Sequence, residues 1–471
     1  MGDGGKLITK GAFAFDANGA SEVINGLTLF DREESDPAFN SLLAFVASDY
    51  NTGWMHGDVK GAFLSDTDPL GEELIVNGTF GSNIDNWRSF NSVLTHATDS
   101  IRVGDGPGSW SKAYQSFTTV VGKKYQVRIV VKTISGQSAT ASVGAQNPAK
   151  LSGNDTTIIN SQTSTGTYYG YFTATATTSY VEMASDGTNY VDYSEVSVRN
   201  AVCDRSVGNN HLRQYGTITK TPVATGAELV GYGPFNNSNN FRQPYNSDLN
   251  FEQNDFSIMF WIYDTGVNQH CTLISRDERE FDISRLAAAY GNKLRIYTRN
   301  SSEDLRSPDS ASALPFNNWT CVCVTYTGGN TKNVYLNGKL DRTITGTDGE
   351  YDIDSTSYGL NIGVRYTGGT TNYSADGVQL ALMRISGSAP SPEQVKKMYD
   401  DEKCLFQENA KATLYGSSDA VTALAYDSTT SLLHVGTSGG RSTFSGLKRV
   451  ENTTTAVATA ISASNGLVAE Q

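Results

Sequence analysis

The chain has 471 residues and a formal net charge of −13. At about 150 residues per domain this length predicts roughly three domains, each able to bury a core. The acidic balance, with no Lys/Arg stripe against it, excludes binding to duplex nucleic acid. Charged residues at 18%, with 46 Gly, 24 Tyr and 19 Phe, exclude a disordered or coiled-coil chain and favour an all-β one.

The first segment, residues 1–70, opens MGDGGKLITKGAF, which has no apolar core of signal-peptide length. No stretch of the chain approaches about 18 uninterrupted apolar residues, so no membrane insertion is expected. Synthesis in a cytosol is the corresponding expectation. KGAFAFD (Lys10–Asp16) and KGAFLSD (Lys60–Asp66) echo one another as strand starts. LLAFVASDYNTGW (Leu42–Trp54) between them reads as strand, turn and strand. A lone hairpin buries too little area to stand alone. The segment is therefore read as a blade-like base that needs a partner.

The second segment, 71–200, opens EELIVNGTFGSNIDNW (Glu72–Trp87) and closes YVDYSEVSVRN (Tyr190–Asn200). Alternation in KYQVRIVVKT and YYGYFTATAT puts one face inward and one outward. These two ends resemble those of carbohydrate-binding-module jelly rolls.

The third segment, 201–402, begins CDRSVGNNHL (Cys203–Leu212) and continues FSIMFWIY (Phe256–Tyr263), NNWTCVCVTY (Asn317–Tyr326), NVYLNGKL (Asn333–Leu340) and LNIGV (Leu360–Val364). Short apolar or alternating runs bounded by Gly, Asn or Asp predict a β-sandwich. DGVQLALMRISGSAPSPEQVKKMY (Asp376–Tyr399) then gives a strand followed by the clearest helix of the chain. Ser391 is its expected N-cap, Pro392 its first residue, and Gln394 completes a capping box. Val395 and Met398 or Tyr399 should face the sandwich. The order and wording of these pieces resemble the laminin-G-like, concanavalin-A-like lectin/glucanase jelly roll. Leu212 stands where the opening of that pattern has Gly.

The last segment, 403–471, contains VTALAYDSTTSLLHVGTSGGRSTF (Val421–Phe444), read as strand, loop, strand, Gly-rich turn and strand. It resembles one β-propeller blade, and one blade does not make a propeller. The tail after Val450 reads as an extended arm. The predicted architecture is thus all-β: two β-sandwich modules inserted in a blade-like base formed by the two terminal segments.

The five cysteines, Cys203, Cys271, Cys321, Cys323 and Cys404, are odd in number and lack zinc-site spacing. Cys321 and Cys323 should share one strand face as small apolar side chains. The five histidines include no i,i+4 pair for metal ligation. No nucleophile elbow, HExxH or Walker loop is present. The remaining catalytic candidate is Glu350-Tyr351-Asp352-Ile353-Asp354, whose alternate carboxylates would line one face as in retaining glycosidases. Against it, Asp354 is short for an acid, and the segment joins two strands, where a solvated acidic turn is expected.

Sugar binding needs open aromatic faces and planar polar groups. Trp110 and Tyr114, after the Gly/Pro loop in GPGSWSKAYQ, are candidates, as are Tyr168 and Tyr171. Tyr366 and Tyr373 bound a rim loop, YTGGTTNY, of the third segment. Trp261 and Trp319 lie within strands and should be core. Jelly rolls of both resembled kinds often hold structural calcium, which implies Asp192 or Asp376 as ligands. A turn-stabilising aspartate is the alternative at each.

GDVKGAFLSDTD (Gly57–Asp68) and DEKCLFQENAKATLYGSSDAVTAL (Asp401–Leu424), flanking both modules, resemble flanks found in virion structural proteins of marine bacteriophages, of the tail-fibre or adhesin type. That resemblance implies a non-enzymatic adhesion protein that displays glycan-binding modules to a bacterial surface. Its partners would be host surface polysaccharide and other virion proteins, in a homo-oligomer with a trimer favoured. A polysaccharide depolymerase using Glu350 and Asp354, and a purely structural decoration protein, are the alternatives.

Overall fold

A computed structural model describes residues 58–66, 73–104, 110–136, 138–147, 156–186, 189–206, 208, 210–410, 421–427, 429–437, 439–445 and 448–455. It also describes the short strands Leu27–Phe30, Leu42–Phe45, Ala460–Ser462 and Val468–Glu470. The all-β expectation holds: antiparallel sheets dominate, and Pro392–Glu402 is the one α-helix among the described residues. The chain divides into two compact units, Leu70–Val202, and Met1–Pro69 with Cys203–Gln471.

The Leu70–Val202 unit is a sandwich of two five-stranded sheets. One runs Thr156–Gln162, Ala139–Gly144, Thr178–Asp186, Trp110–Thr118, Arg88–Phe90; the other runs Gly166–Thr173, Lys124–Ile134, Tyr190–Asn200, Ser100–Gly104, Val93–Ala97. Alternation does the sorting: Tyr125, Val127, Ile129 and Val131 point into a core shared with Val181, Met183, Val196 and Val198. The opening Asn77–Trp87 stretch is a chain of turns rather than a strand. Phe80 is fully buried with its ring centroid 5.4 Å from that of Trp87, and Trp87 Nε1 donates to Asn77 O at 3.2 Å. That closure gives Asn77, Phe80 and Trp87 a shared structural role.

In the other unit, two eight-stranded sheets form a second sandwich. The first, in path order, comprises Arg213–Tyr215, Asn240–Gln243, Leu360–Ile362, Cys271–Arg276, Phe281–Arg285, Lys293–Arg299 and Leu305–Arg306, with Asp309–Ala313 also on Lys293–Arg299. The second centres on Val378–Ser386, Phe256–Asp264 and Trp319–Thr327. The FSIMFWIY strand is buried on both faces, not one. Met259 and Trp261 join Cys321, Cys323, Val395 and Met398 in a cluster beneath the helix, while Ile258, Phe260 and Ile262, fully buried, alternate to the opposite face. All five cysteines are free thiols, as expected. Trp261 is core; Trp319 is only half-buried and donates Nε1 to Val223 O at 2.8 Å.

The helix has the predicted cap. Ser391 Oγ accepts from Gln394 N at 3.3 Å, Ser391 N donates to Gln394 Oε1 at 2.7 Å, and Pro392 opens the first turn. Beneath its end, buried Arg384 forms a bidentate pair with Glu402, and Trp261 Nε1 donates to Glu402 Oε2 at 2.7 Å. A buried charge is tolerable when its lone pairs are met in this way.

Val59–Phe63 departs from the expected terminal base. It pairs with Val378–Ser386, as an added strand of the sandwich, with Ala62 opposite Arg384 and Phe63 opposite Met383. Ala62, Phe63 and Leu64 are almost wholly buried, and an apolar triplet of this kind needs a sheet to bury it. Asp204 fixes the junction: its carboxylate accepts from Ala62 N and Ser206 N, both at 2.9 Å, and from Asn210 N at 2.8 Å. The DRSVGNN motif is therefore a structural clamp. KGAFAFD and most of the first segment lie outside the described residues; Leu27–Phe30 and Leu42–Phe45 pair antiparallel.

The blade reading of the last segment gains a strand. Val421–Asp427, Leu432–Thr437, Gly440–Ser445 and Lys448–Thr453 form a four-stranded antiparallel meander. The expected extended arm is instead the end of that meander followed by a small hairpin, Ala460–Ser462 against Val468–Glu470. Ile461 and Val468 are residue types that favour strand.

Candidate functional site

One face of the second sandwich collects polar and aromatic side chains in a row. Strand register places Phe241, Ile362, Ile274, Ile283 and Ile296 opposite one another across five strands, all fully buried. Alternation then puts Arg242, Asn361, Ser275, Asp282 and Tyr297 side by side on the other face. Asn361 Nδ2 donates to Asp277 Oδ1 at 2.6 Å, and Gly359 N to Asp277 Oδ2 at 2.8 Å. Burial raises the Asp277 and Asp282 carboxyls against these hydrogen bonds.

A hairpin, Arg365–Thr367 and Thr370–Asn372, folds over this row. Its turn, Gly368-Gly369, has φ of 58° and 79°, which only glycine adopts cheaply. Arg365 reaches from it to Asp282 Oδ2 at 2.6 Å and Ser284 Oγ at 3.2 Å. Gly368 N donates to Glu278 Oε1 at 2.7 Å, and Thr272 N to Tyr373 O at 2.7 Å. Tyr366 and Tyr373, the predicted rim aromatics, thereby share arginine partners with Tyr215 and Tyr297. Arg242 lies 4.4 Å from the Tyr215 ring centroid and 5.2 Å from that of Tyr366. Arg365 lies 4.9 Å from Tyr297 and 4.6 Å from Tyr373, and Arg279 lies 5.7 Å from Tyr297. Glu278, Arg279 and Tyr373 hold φ of 54°, 63° and 51°. Left-handed backbone at bulky residues is costly, and such positions cluster at ligand sites. Tyr373 is 51% exposed.

Tyr215 and Tyr297 escaped the sequence reading. The signal for Tyr297 was present: KLRIYTR alternates, so Lys293, Arg295, Tyr297 and Arg299 share one outward face. Tyr215 sits in a three-residue edge strand that periodicity does not mark.

In the Leu70–Val202 unit, Trp110 opens its strand and is 37% exposed. The other three aromatics offer less. Tyr114 is 8% exposed, so neither ring face is open for sugar stacking. It stands opposite Glu182, which pairs with Lys112 at 3.1 Å and accepts from Ser142 Oγ at 2.5 Å. Tyr168 packs against the core and donates its hydroxyl to Ser164 O at 2.6 Å. Tyr171 is half-buried opposite Gln126.

Neither calcium candidate has a ligand set that suits the ion. Both Asp192 oxygens are taken by the Arg102 fork, at 2.7 and 2.9 Å, so an ion pair stands where a ligand was expected. Asp376 accepts from Gln269 Nε2 at 2.8 Å and from Ser374 Oγ at 3.3 Å. The neighbouring carbonyls of Val267 and Gln269 receive the Arg285 guanidinium, each at 2.8 Å, so the chain supplies its own cation there. Among the described residues no group of three or more His, Cys, Asp or Glu is placed to hold a metal.

The Glu350–Asp354 stretch alternates as expected, with Tyr351 and Ile353 buried and the three carboxylates outward. Two of these carboxylates have partners of their own. Glu350 accepts from Arg306 Nη2 and from Asn300 Nδ2, both at 2.8 Å, and these bonds lower its pKa. Asp352 accepts from Gln253 Nε2 at 3.0 Å. In a retaining pair Asp354 would be the acid and Glu350 the ionised nucleophile, and here the Glu350 carboxylate is occupied by Arg306 and Asn300.

Residues 236–396 match the family profile described as the concanavalin A-like lectin/glucanases superfamily. The matched stretch contains the whole row, the hairpin and the capped helix start. Among solved structures, the chain resembles the binding domain of Paraclostridial Mosquitocidal Protein 1, at 14% identity and a TM-score of 0.35, covering 50% of this chain and 61% of that one. It also resembles the botulinum neurotoxin serotype G binding domain, at 13% identity and TM-score 0.34, covering 50% and 59%. A third is the botulinum neurotoxin serotype D ligand binding domain in complex with N-acetylneuraminic acid, at 15% identity and TM-score 0.34, covering 50% and 58%. The chain thus spans about three fifths of each, and at these scores nothing about function follows. No curated protein matches the chain.

Proposed function

We propose that this chain is a non-enzymatic glycan-binding protein, with the tyrosine–arginine face of the second sandwich as its principal binding surface. The observation that carries the reading is the partly exposed set Arg242, Tyr297, Tyr366 and Tyr373 around a row whose middle, Asn361, Ser275 and Asp282, is buried, within a stretch that matches a lectin/glucanase superfamily. Aromatic faces beside guanidinium groups suit sugar rings and hydroxyls. The Glu350 carboxylate, neutralised by Arg306, argues for binding over cleavage. On the resemblance of its flanks, the chain serves as a tail-fibre or adhesin component of a phage virion, assembled in a host cytoplasm and displayed to bacterial surface polysaccharide.

A glycan array probed with the full chain tests the reading. Binding is expected, with Tyr373→Ala weakening it more than Trp110→Ala. An array with no bound glycan refutes the reading. Release of oligosaccharide from bacterial capsule, abolished by Glu350→Gln, would establish the depolymerase alternative instead.

A further inference from the structure

The tyrosine–arginine face sets Arg242, Arg279 and Arg365 against Asp277, Glu278 and Asp282, in a chain of net charge −13. Its carboxylates are already engaged: Asp282 by Arg365, Asp277 by Asn361 and the Gly359 amide, Glu278 by the Gly368 amide. Two of its guanidinium groups act on these carboxylates only across a distance, Arg242 on Asp277 and Arg279 on Asp282. Arg242 and Arg279 form no ion pair with any described residue. Arg242 donates Nε to Asn240 Oδ1 at 2.9 Å and lies against Tyr215 and Tyr366. Arg279 lies over Tyr297, and its Nε is buried with no hydrogen-bond partner. Thr367 Oγ1 and Asn372 Oδ1, on the hairpin, are likewise buried and without a partner.

A guanidinium held against a ring keeps its planar N–H edge for an oxyanion, which it can grip with two bonds. We infer that the ligand of this face is an acidic polysaccharide, whose carboxylate or sulfate groups are gripped by Arg242 and Arg279. The inference rests on the glycan-binding reading and narrows it to a chemical class. The strands of Arg242 and Tyr297 are four steps apart, about 19 Å at ~4.8 Å per step. Anion grips at the two ends of such a span suit a chain of sugars rather than one ring.

The test titrates the full chain with three polymers: an alginate-type polyuronate, dextran sulfate and neutral dextran. These run beside a wider panel of neutral glycans. The expected result is binding to at least one anionic polymer, weakened as ionic strength rises. Arg242→Gln and Arg279→Gln should each weaken it about tenfold or more, as loss of a charge-assisted bidentate contact would. Arg242→Lys should retain part of it, and Lys397→Gln, on the distant helix, should leave it unchanged. The preferred polymer distinguishes carboxylate from sulfate. Binding to neutral glycans alone overturns this inference and leaves the glycan-binding reading intact. No glycan binding at all overturns both. Polyanion binding that is insensitive to salt, or that persists in well-folded Arg242→Gln and Arg279→Gln variants, removes the two arginines from the site. Where a variant fails to fold, the salt titration of the unaltered chain still decides.

Discussion

Lys332 is wholly buried on its strand, and its Nζ donates to the Asp348 carbonyl at 2.8 Å. Burial favours the neutral amine and lowers its pKa from 10.5 to about 7, with Asp348 and Glu350 pulling it up and Arg306 pushing it down. The unfolded chain keeps that proton to about 10.4. Between the two values the unfolded state binds more protons, so stability must rise with pH from about 7 upward. Buried Cys321 and Cys323 act oppositely once unfolded thiols ionise, near 8.5. The window for Lys332 is therefore roughly pH 7 to 8.5. Urea midpoints across that window should climb in the native chain and stay flatter in Lys332→Met. Equal slopes in both would show that Lys332 titrates normally.

At the scale of elements, the Arg365–Asn372 hairpin is a clasp over the proposed binding row, paired as a separate two-stranded sheet beside the sandwich. Its turn glycines have open space around the position of a Cβ, so only their left-handed φ resists substitution. A β-branched residue there should cost about 1–2 kcal/mol locally. Gly369→Val is expected to reduce glycan affinity while the main unfolding transition stays in place. Loss of that transition would make the hairpin a structural element instead. What the sequence made legible divides along the same line. The capping box of Ser391 and Gln394 is local, and so is the alternation of Tyr125 through Val131; both were readable. The double burial of FSIMFWIY was not, because the helix that covers it arrives much later: Trp261 and Glu402 are 141 residues apart. Asp192 looked like a free ligand for the same reason, its partner Arg102 lying 90 residues away. Tyr366 and Tyr373 were visible as a rim loop. Their union with Tyr215 and Tyr297 depends on strand register, which no local pattern encodes.

For the whole molecule, the proposed adhesion role asks how a partly exposed face on a net-negative chain would hold a bacterial surface. A single open site with few buried contacts binds weakly, since ordering costs consume much of the gain. Several copies on one assembly turn later contacts into intramolecular ones and can raise avidity about 10²–10⁴-fold with no new contact. The terminal meander offers a means of assembly. Among the described residues its last strand, Lys448–Thr453, pairs on one side only, with Gly440–Ser445. An open edge of this kind invites a strand from another copy unless something covers it. We therefore expect light scattering of the full chain to give a homo-oligomer, with a trimer favoured by the adhesin reading. Its affinity for immobilised polysaccharide should exceed that for a short oligosaccharide of the same repeat by at least about 10². Replacing alternate residues of the edge strand, as in Val450→Pro, should lower both the oligomer mass and the avidity while leaving the oligosaccharide affinity unchanged. A monomeric chain with equal affinity for the two ligands would remove multivalency from the account and leave adhesion to each site alone.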